Sequence, residues 1–149
     1  MKPLAGVQLE TTTDWPAAEA KILSDGIVGF NRAARPDLEP VEAEQRFLVV
    51  ARDGAGRVCG GLRARCFWNT LHIELMWVHQ AQRGRGLGRD ILAAAEDRAV
   101  SLGYALAHVE TTSWQALTFY RKVGYALRYA MEGRPVGETS YYLSRSLPV

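Results

Sequence analysis

Between Gln82 and Asp90 the chain reads QRGRGLGRD, three glycines set among Arg83, Arg85 and Arg89. Glycine weakens regular structure, so this density marks a backbone with a special task. A loop that leaves a strand and opens a helix points N–H groups outward at the positive end of the helix dipole, and glycines let several of them converge. With guanidinium groups alongside, the chemistry is anion binding, and phosphate is the anion it fits. Two well-known phosphate loops fail on spacing. The Walker pattern needs Lys and Ser/Thr after its last glycine, where this chain has Arg89 and Asp90. The dinucleotide fingerprint needs Gly-x-Gly-x-x-Gly, whereas Gly84, Gly86 and Gly88 recur at every second residue.

The elements around this loop must form a strand before it and a helix after it. LHIELMWV, residues 71–78, alternates in the manner of a strand with two differently used faces. LGRDILAAAEDRAVSLG places Leu87, Ile91, Leu92, Ala95, Ala99 and Leu102 on one helical stripe, and Gly103 ends it. YALAHVETT is the next strand, so residues 71–111 form a strand–helix–strand unit that predicts a right-handed parallel pair. Upstream, two strand-like runs flank Asp53-Gly54-Ala55-Gly56, a hairpin signal. Downstream come a short helix, SWQALTFYRKVG, and two more strands, YALRYAME and TSYYLSRSL. At the start, GVQLETTT reads as a first strand. A helix follows, with Asp14 as N-cap, Pro16 in its first turn and interruptions at Gly26 and Gly29. The expected fold is α/β: a single domain over residues 1–149 with a mixed, mostly antiparallel sheet flanked by helices.

Composition narrows the function classes. At 149 residues, 48% hydrophobic, the chain is long enough for one real core. A net charge of +2 gives no support to a nucleic-acid partner. Cys59 and Cys66 make neither a disulfide framework nor a zinc spacing, so no metal is expected. The first residues lack an apolar leader segment, and no apolar run is long enough to span a bilayer. A soluble cytoplasmic protein without a membrane partner is the expectation.

Arg83-Gly84-Arg85-Gly86-Leu87-Gly88 fits the pattern Arg/Gln-x-x-Gly-x-Gly/Ala and resembles the acyl-CoA pyrophosphate loop of the GNAT superfamily of N-acetyltransferases. ALTFYRKVGY resembles that family's second signature, an Ala (Ala116) followed four residues later by Tyr (Tyr120), then Gly and an aromatic. The resemblance runs from about Phe47 to Leu147 and points to one bacterial branch of the family. It implies an acyl-CoA N-acyltransferase fold with a central, splayed parallel strand pair, and acetyl-CoA as co-substrate. The cofactor-binding residues it implies are Arg83 to Arg89, with backbone N–H groups of about Arg85 to Arg89 on the pyrophosphate. Trp77 and Val78 would lie along the pantetheine arm, and Ala116 and Tyr120 near the sulfur. Where the family often has Asn three residues before that Ala, this chain has Ser113, whose hydroxyl is expected to make the contact instead.

The same resemblance assigns roles. The Val78 N–H would polarise the thioester carbonyl. Tyr120 would protonate the departing CoA thiolate. Glu74, sharing a face with Met76 and Val78 by period two, and Glu110 on the neighbouring strand are the candidate bases, with His72 and His79 close by. Phe30, Asn31 and Trp68 are candidates for the acceptor wall. The leading expectation is acetyl transfer to a primary amine of a small molecule in a ternary complex. A catalytically silent acyl-CoA-binding module and a protein lysine or N-terminal acetyltransferase stand as alternatives. The resemblance leaves room for a homodimer.

Overall fold

The computed structural model describes residues 4–148. The chain divides into two compact units, Met1–Leu38 and Glu39–Val149. The first unit contains helix α1 (Ala17–Ala34). Two expectations fail there. Residues 6–13 form no strand: Val7 and Leu9 alternate, but a strand also needs a partner to pair with, and none is present among the described residues. Pro16 is the N-cap in place of Asp14, and α1 runs through Gly26 and Gly29 without a break, because glycine lowers helix stability without forbidding it.

The second unit is a six-stranded sheet in the order β1-β2-β3-β4-β6-β5. Its strands are β1 (Gln45–Arg52), β2 (Val58–Phe67), β3 (Thr70–Val78), β4 (Leu106–Thr112), β5 (Ala126–Glu132) and β6 (Thr139–Ser146). All neighbours are antiparallel except β3 and β4. The β1–β2 turn forms where expected: Asp53 Oδ1 accepts the N–H groups of Ala55 (2.9 Å) and Arg57 (3.0 Å). The β3–β4 pair requires a crossover, which α2 (Leu87–Ser101) supplies. Ile91, Leu92, Ala95 and Ala99 of α2 are buried against Leu62, Ala64, Leu71 and Ile73 of the sheet. A short helix, α3 (Leu117–Lys122), joins β4 to β5. The other face of the sheet, opposite α2, carries Arg63, Arg65, His72, His108, Glu110 and Tyr142.

Two features of β3 position the site. First, Ala64 faces Ile73 while Arg63 faces Leu75, so Glu74 is an extra residue, a bulge on β3. Such a bulge bends its strand. Second, β3–β4 pairing stops at Ile73 and Val109, although β3 continues to Val78 and β4 to Thr112. Beyond the bulge the two parallel strands part, and a wedge opens between them.

Candidate active site

A cleft of about 1300 Å³ fills the wedge, bounded by the diverging ends of β3 and β4, the start of α2, and α3. One end of it is the glycine loop. Gly84 (φ 75°) and Gly86 (φ 87°) take left-handed backbone conformations, which lets the chain turn twice before the helix starts. Gly86 is the N-cap and supplies no side-chain acceptor. The first loop-to-helix bond is from the Asp90 N–H to the Gly86 oxygen, at 3.1 Å. Among the described residues, no N–H from Gly84 through Arg89 has a backbone acceptor. Six successive donors are thus offered at the positive end of α2. Gly88 has a different reason: a Cβ there would stand 3.4 Å from the Met76 methyl and 3.6 Å from the Phe119 ring, so the helix start packs closely on both.

The β3 wall follows from strand geometry. Gly60 and Val78 oppose each other, and the His79 N–H donates to the Cys59 oxygen at 2.8 Å. Gly60–Val78 is therefore a pair without mutual hydrogen bonds, and the Val78 N–H points away from β2, into the wedge. Met76, two residues earlier, has the same orientation. The Val78 carbonyl is held by Arg83, whose Nε donates to it at 2.9 Å, which ties the loop to the strand end.

Tyr120 sits deep in the cleft, 4% exposed. Its ring meets those of Phe119 (5.1 Å) and Tyr125 (5.5 Å) edge to face. Among the described residues, its hydroxyl has no hydrogen-bond partner. Burial pushes its pKa up to about 12, so it is a phenol at neutral pH. Behind it, Tyr125 donates to Glu96 (2.9 Å), and Arg145 bonds both Glu96 (3.3 Å) and the Val123 carbonyl (2.9 Å). Burial raises the Tyr125 pKa strongly. Thr111, 3% exposed, accepts the Ala116 N–H at 3.1 Å and so fixes the entry to α3.

A second cavity of about 340 Å³ borders the first and shares Ile73, Glu74, Glu110, Thr111 and Gln115 with it. His72, His108 and Thr112 complete its lining, the two imidazoles on its floor. Both carboxylates are held by arginines. Glu74 pairs with Arg63 at 2.7 Å and Arg65 at 3.9 Å. Glu110 pairs with Arg134 and accepts from the Tyr142 hydroxyl at 3.4 Å. Burial, with His108 nearby, lowers the His72 pKa below its ordinary value, so this imidazole is neutral at pH 7.

Most of the expected cofactor residues converge. Trp77, Val78, Arg83, Gly84 and Gly86 border the cleft, as do Leu87, Gly88, Arg89, Ala116 and Tyr120. Arg85 does not border it; its guanidinium bonds the Gln82 side chain at 3.2 Å. Ser113 also lies outside. Its hydroxyl donates to Glu138 and accepts the Thr139 N–H at 3.2 Å, so it fastens the start of β6. Glu74 borders both cavities, but not on the expected face. The bulge breaks the period-two alternation, and Glu74 joins Arg63 and Arg65 opposite Met76 and Val78. Trp68 lies at the β2–β3 turn (φ 46°), at the other end of β3 from the cleft and outside both cavities. Phe30 and Asn31 belong to α1 in the first unit. His79 caps a short turn, its Nδ1 accepting the Ala81 N–H at 3.1 Å. Met76, Phe119, Thr111 and Gln115 line the cleft without having been picked out from the sequence. Of these, Phe119 carried a signal, an aromatic beside Tyr120 on a short helix.

Among the described residues no cluster of His, Cys, Asp and Glu could hold a metal ion. No described helix is long and apolar enough to cross a membrane.

Comparison with known proteins agrees with this geometry. Residues 43–127 match the acetyltransferase (GNAT) domain family. The chain is 41% identical over 125 residues to a blasticidin-S acetyltransferase of Streptomyces morookaense, covering 83% of this chain and 90% of that protein. An IAA acetyltransferase of Azospirillum brasilense is 31% identical over 107 residues, 70% of this chain and 65% of that one. The crystal structure of an acetyltransferase from Bacillus cereus superposes with a TM-score of 0.82 at 23% identity, over 97% of this chain and 100% of that chain. A structure assigned as a streptothricin acetyltransferase of Bacillus anthracis, in complex with acetyl coenzyme A, superposes with a TM-score of 0.62 at 21% identity, over 69% of this chain and 63% of that chain. A splayed parallel strand pair, a donor-lined loop at the helix between them and a buried tyrosine beside the gap thus coincide with a family match over more than half the chain, and the protein belongs to the GNAT family of acetyltransferases.

Proposed function

We propose that the protein transfers the acetyl group of acetyl-CoA to a primary amine of a small molecule, by direct attack in a ternary complex. The observation that carries this is the run of six N–H donors from Gly84 to Arg89 opening beside the β3–β4 wedge. The pyrophosphate binds there, and the pantetheine arm runs along Met76 and Val78. The Val78 N–H donates to the thioester oxygen as negative charge builds on it. The amine enters from the second cavity, where Glu74 and Glu110 receive the ammonium. Neutral His72 beside them takes its proton directly or through a water. The amine nitrogen bonds to the acyl carbon, the carbon–sulfur bond breaks, and the Tyr120 phenol donates to the sulfur as the thiolate leaves.

A small-molecule acceptor is supported by the relative named for blasticidin S, and acetyl-CoA by the neighbour crystallised with it. An amine-bearing antibiotic is the first acceptor class to try. The test is thermal unfolding with acetyl-CoA, CoA, ATP or NAD, followed by a thiol-release assay over an amine panel. A ligand at 100 times its Kd adds about 2.7 kcal/mol of stability. A shift with acetyl-CoA and CoA, with thiol release dependent on an amine, is the expected result. A shift confined to ATP or NAD would refute the reading.

A further inference from the structure

The face of the sheet opposite α2 carries a row of rings that crosses five strands. Phe67 of β2 stacks on His72 of β3, centroids 4.5 Å apart and planes 16° apart. His72 meets His108 of β4 edge-on at 5.7 Å, and His108 stacks with Tyr142 of β6 at 6.4 Å and 25°. Tyr129 of β5 ends the row, 5.7 Å from Tyr142. Register produces it: His72 lies opposite His108 in the parallel pair, and Tyr142 opposite Tyr129 in the antiparallel one.

Ring pairs across strands also stabilise a sheet. That role alone does not account for what surrounds these rings. His72 and His108 form the floor of the second cavity, and Tyr129 is 56% exposed. The middle of the row is therefore within reach of a ligand. Tyr142 is also tied to the acceptor carboxylate, since its hydroxyl bonds Glu110, which Arg134 holds from another side. A row of aromatic side chains thus adjoins two carboxylates at the gap between the cavities. That pairing matches a cation attached to a flat ring.

The geometry points to an acceptor that carries an aromatic or heteroaromatic ring. The ring stacks on His108 and Tyr142 while its amine reaches Glu74 and Glu110. This names the acceptor class for the acetyl transfer described above and rests on that reading.

The test compares 2-phenylethylamine with 2-cyclohexylethylamine, which differ in the π-system and little in size. Their Kd values are measured by calorimetry with CoA present, and thiol release from acetyl-CoA is followed in parallel. The expected result is about tenfold tighter binding of the aromatic amine, the scale of stacking on a side-chain ring. Tyr142→Leu and His108→Leu should bring the ratio close to one. Tyr142→Phe, which keeps the ring and loses the bond to Glu110, should preserve it. Equal affinities in the wild type would overturn the inference even if one variant fails to fold. So would a preference that survives both leucine substitutions. A protein that shows no acetyl-CoA shift and no thiol release fails the acetyl-transfer reading instead, and the Kd ratio reports separately on the ring surface.

Discussion

Tyr120→Phe isolates one oxygen atom. The ring is 4% exposed and packs on Phe119 and Tyr125, contacts that phenylalanine retains. No protein group bonds the hydroxyl among the described residues, so its loss leaves no stranded partner and the melting temperature should not fall. The catalytic effect can be bounded. With the phenol pushed up to about 12 and an ordinary thiol near 8.5, full proton transfer to the thiolate is uphill by about 5 kcal/mol. In the proposed transfer Tyr120 is therefore a hydrogen-bond donor to the leaving sulfur, and solvent protonates the released thiolate. A hydrogen bond to a charged group is worth about 1.5–3 kcal/mol, or roughly 10- to 150-fold in rate. The bond strengthens as charge reaches the sulfur, so the loss should fall on kcat and leave KM for acetyl-CoA close to the wild-type value. Steady-state kinetics with saturating amine would show this, provided chemistry limits turnover, which a single-turnover measurement checks. A single-turnover rate within twofold of wild type would refute the role given to Tyr120.

Three further outcomes follow from the same geometry. Gly86→Ala puts a side chain at φ 87°, at a cost of about 1–2 kcal/mol, and should raise KM for acetyl-CoA more than it lowers kcat; an unchanged KM would separate that backbone turn from pyrophosphate binding. Burial lowers the His72 pKa, so the unfolded imidazole binds its proton first as pH falls; the stability from the neutral ring is full above about 6.5 and is lost as pH drops through the depressed folded value. His72→Phe should flatten that slope in melting temperatures taken from pH 5 to 7.5, and should also remove the acid limb of kcat/KM. Cys59 and Cys66 are both buried, and burial pushes the Cys66 thiol up to about 11, so neither should react with iodoacetamide until the protein unfolds; mass spectrometry of the native protein would reveal any adduct.

How much of this was legible in the sequence depends on whether the determinant was local. The loop from Arg83 to Arg89, the hairpin at Asp53 and the stop at Gly103 were legible because turn chemistry is written in consecutive residues. The strand expected in GVQLETTT failed because alternation describes a surface and says nothing of a neighbour to pair with. Ser113 was misplaced for a related reason. Its partner Glu138 lies in the turn between β5 and β6, and no spacing near Ser113 announces it. The ring row was invisible as a row, because Phe67, His72, His108, Tyr129 and Tyr142 meet only through strand order and register.

Glu74 shows the limit most clearly, and its misplacement is also what makes the site. Strict alternation would put it on the cleft face with Met76 and Val78, pairing β3 with β2 along its whole length. The bulge instead sends the carboxylate to the opposite face, where Arg63 and Arg65 hold it, and returns Met76 and Val78 to the face of α2. One inserted residue thus does two things. It bends β3 where pairing with β4 ends, which opens the wedge, and it sets an acidic group on the acceptor side while the backbone donors of β3 line the other. Deleting Glu74 should therefore do more than remove a carboxylate. It leaves Ile73 opposite Ala64 and Leu75 opposite Arg63 in a regular β2–β3 ladder, with Met76 and Val78 still on the face of α2, and takes out the bend that opens the wedge. Glu74→Gln, by contrast, keeps the bulge and the wedge. If acetyl-CoA still shifts the melting temperature of Glu74→Gln but not of the deletion, the bulge itself builds the cofactor cleft; equal shifts in both would show that the wedge has another cause.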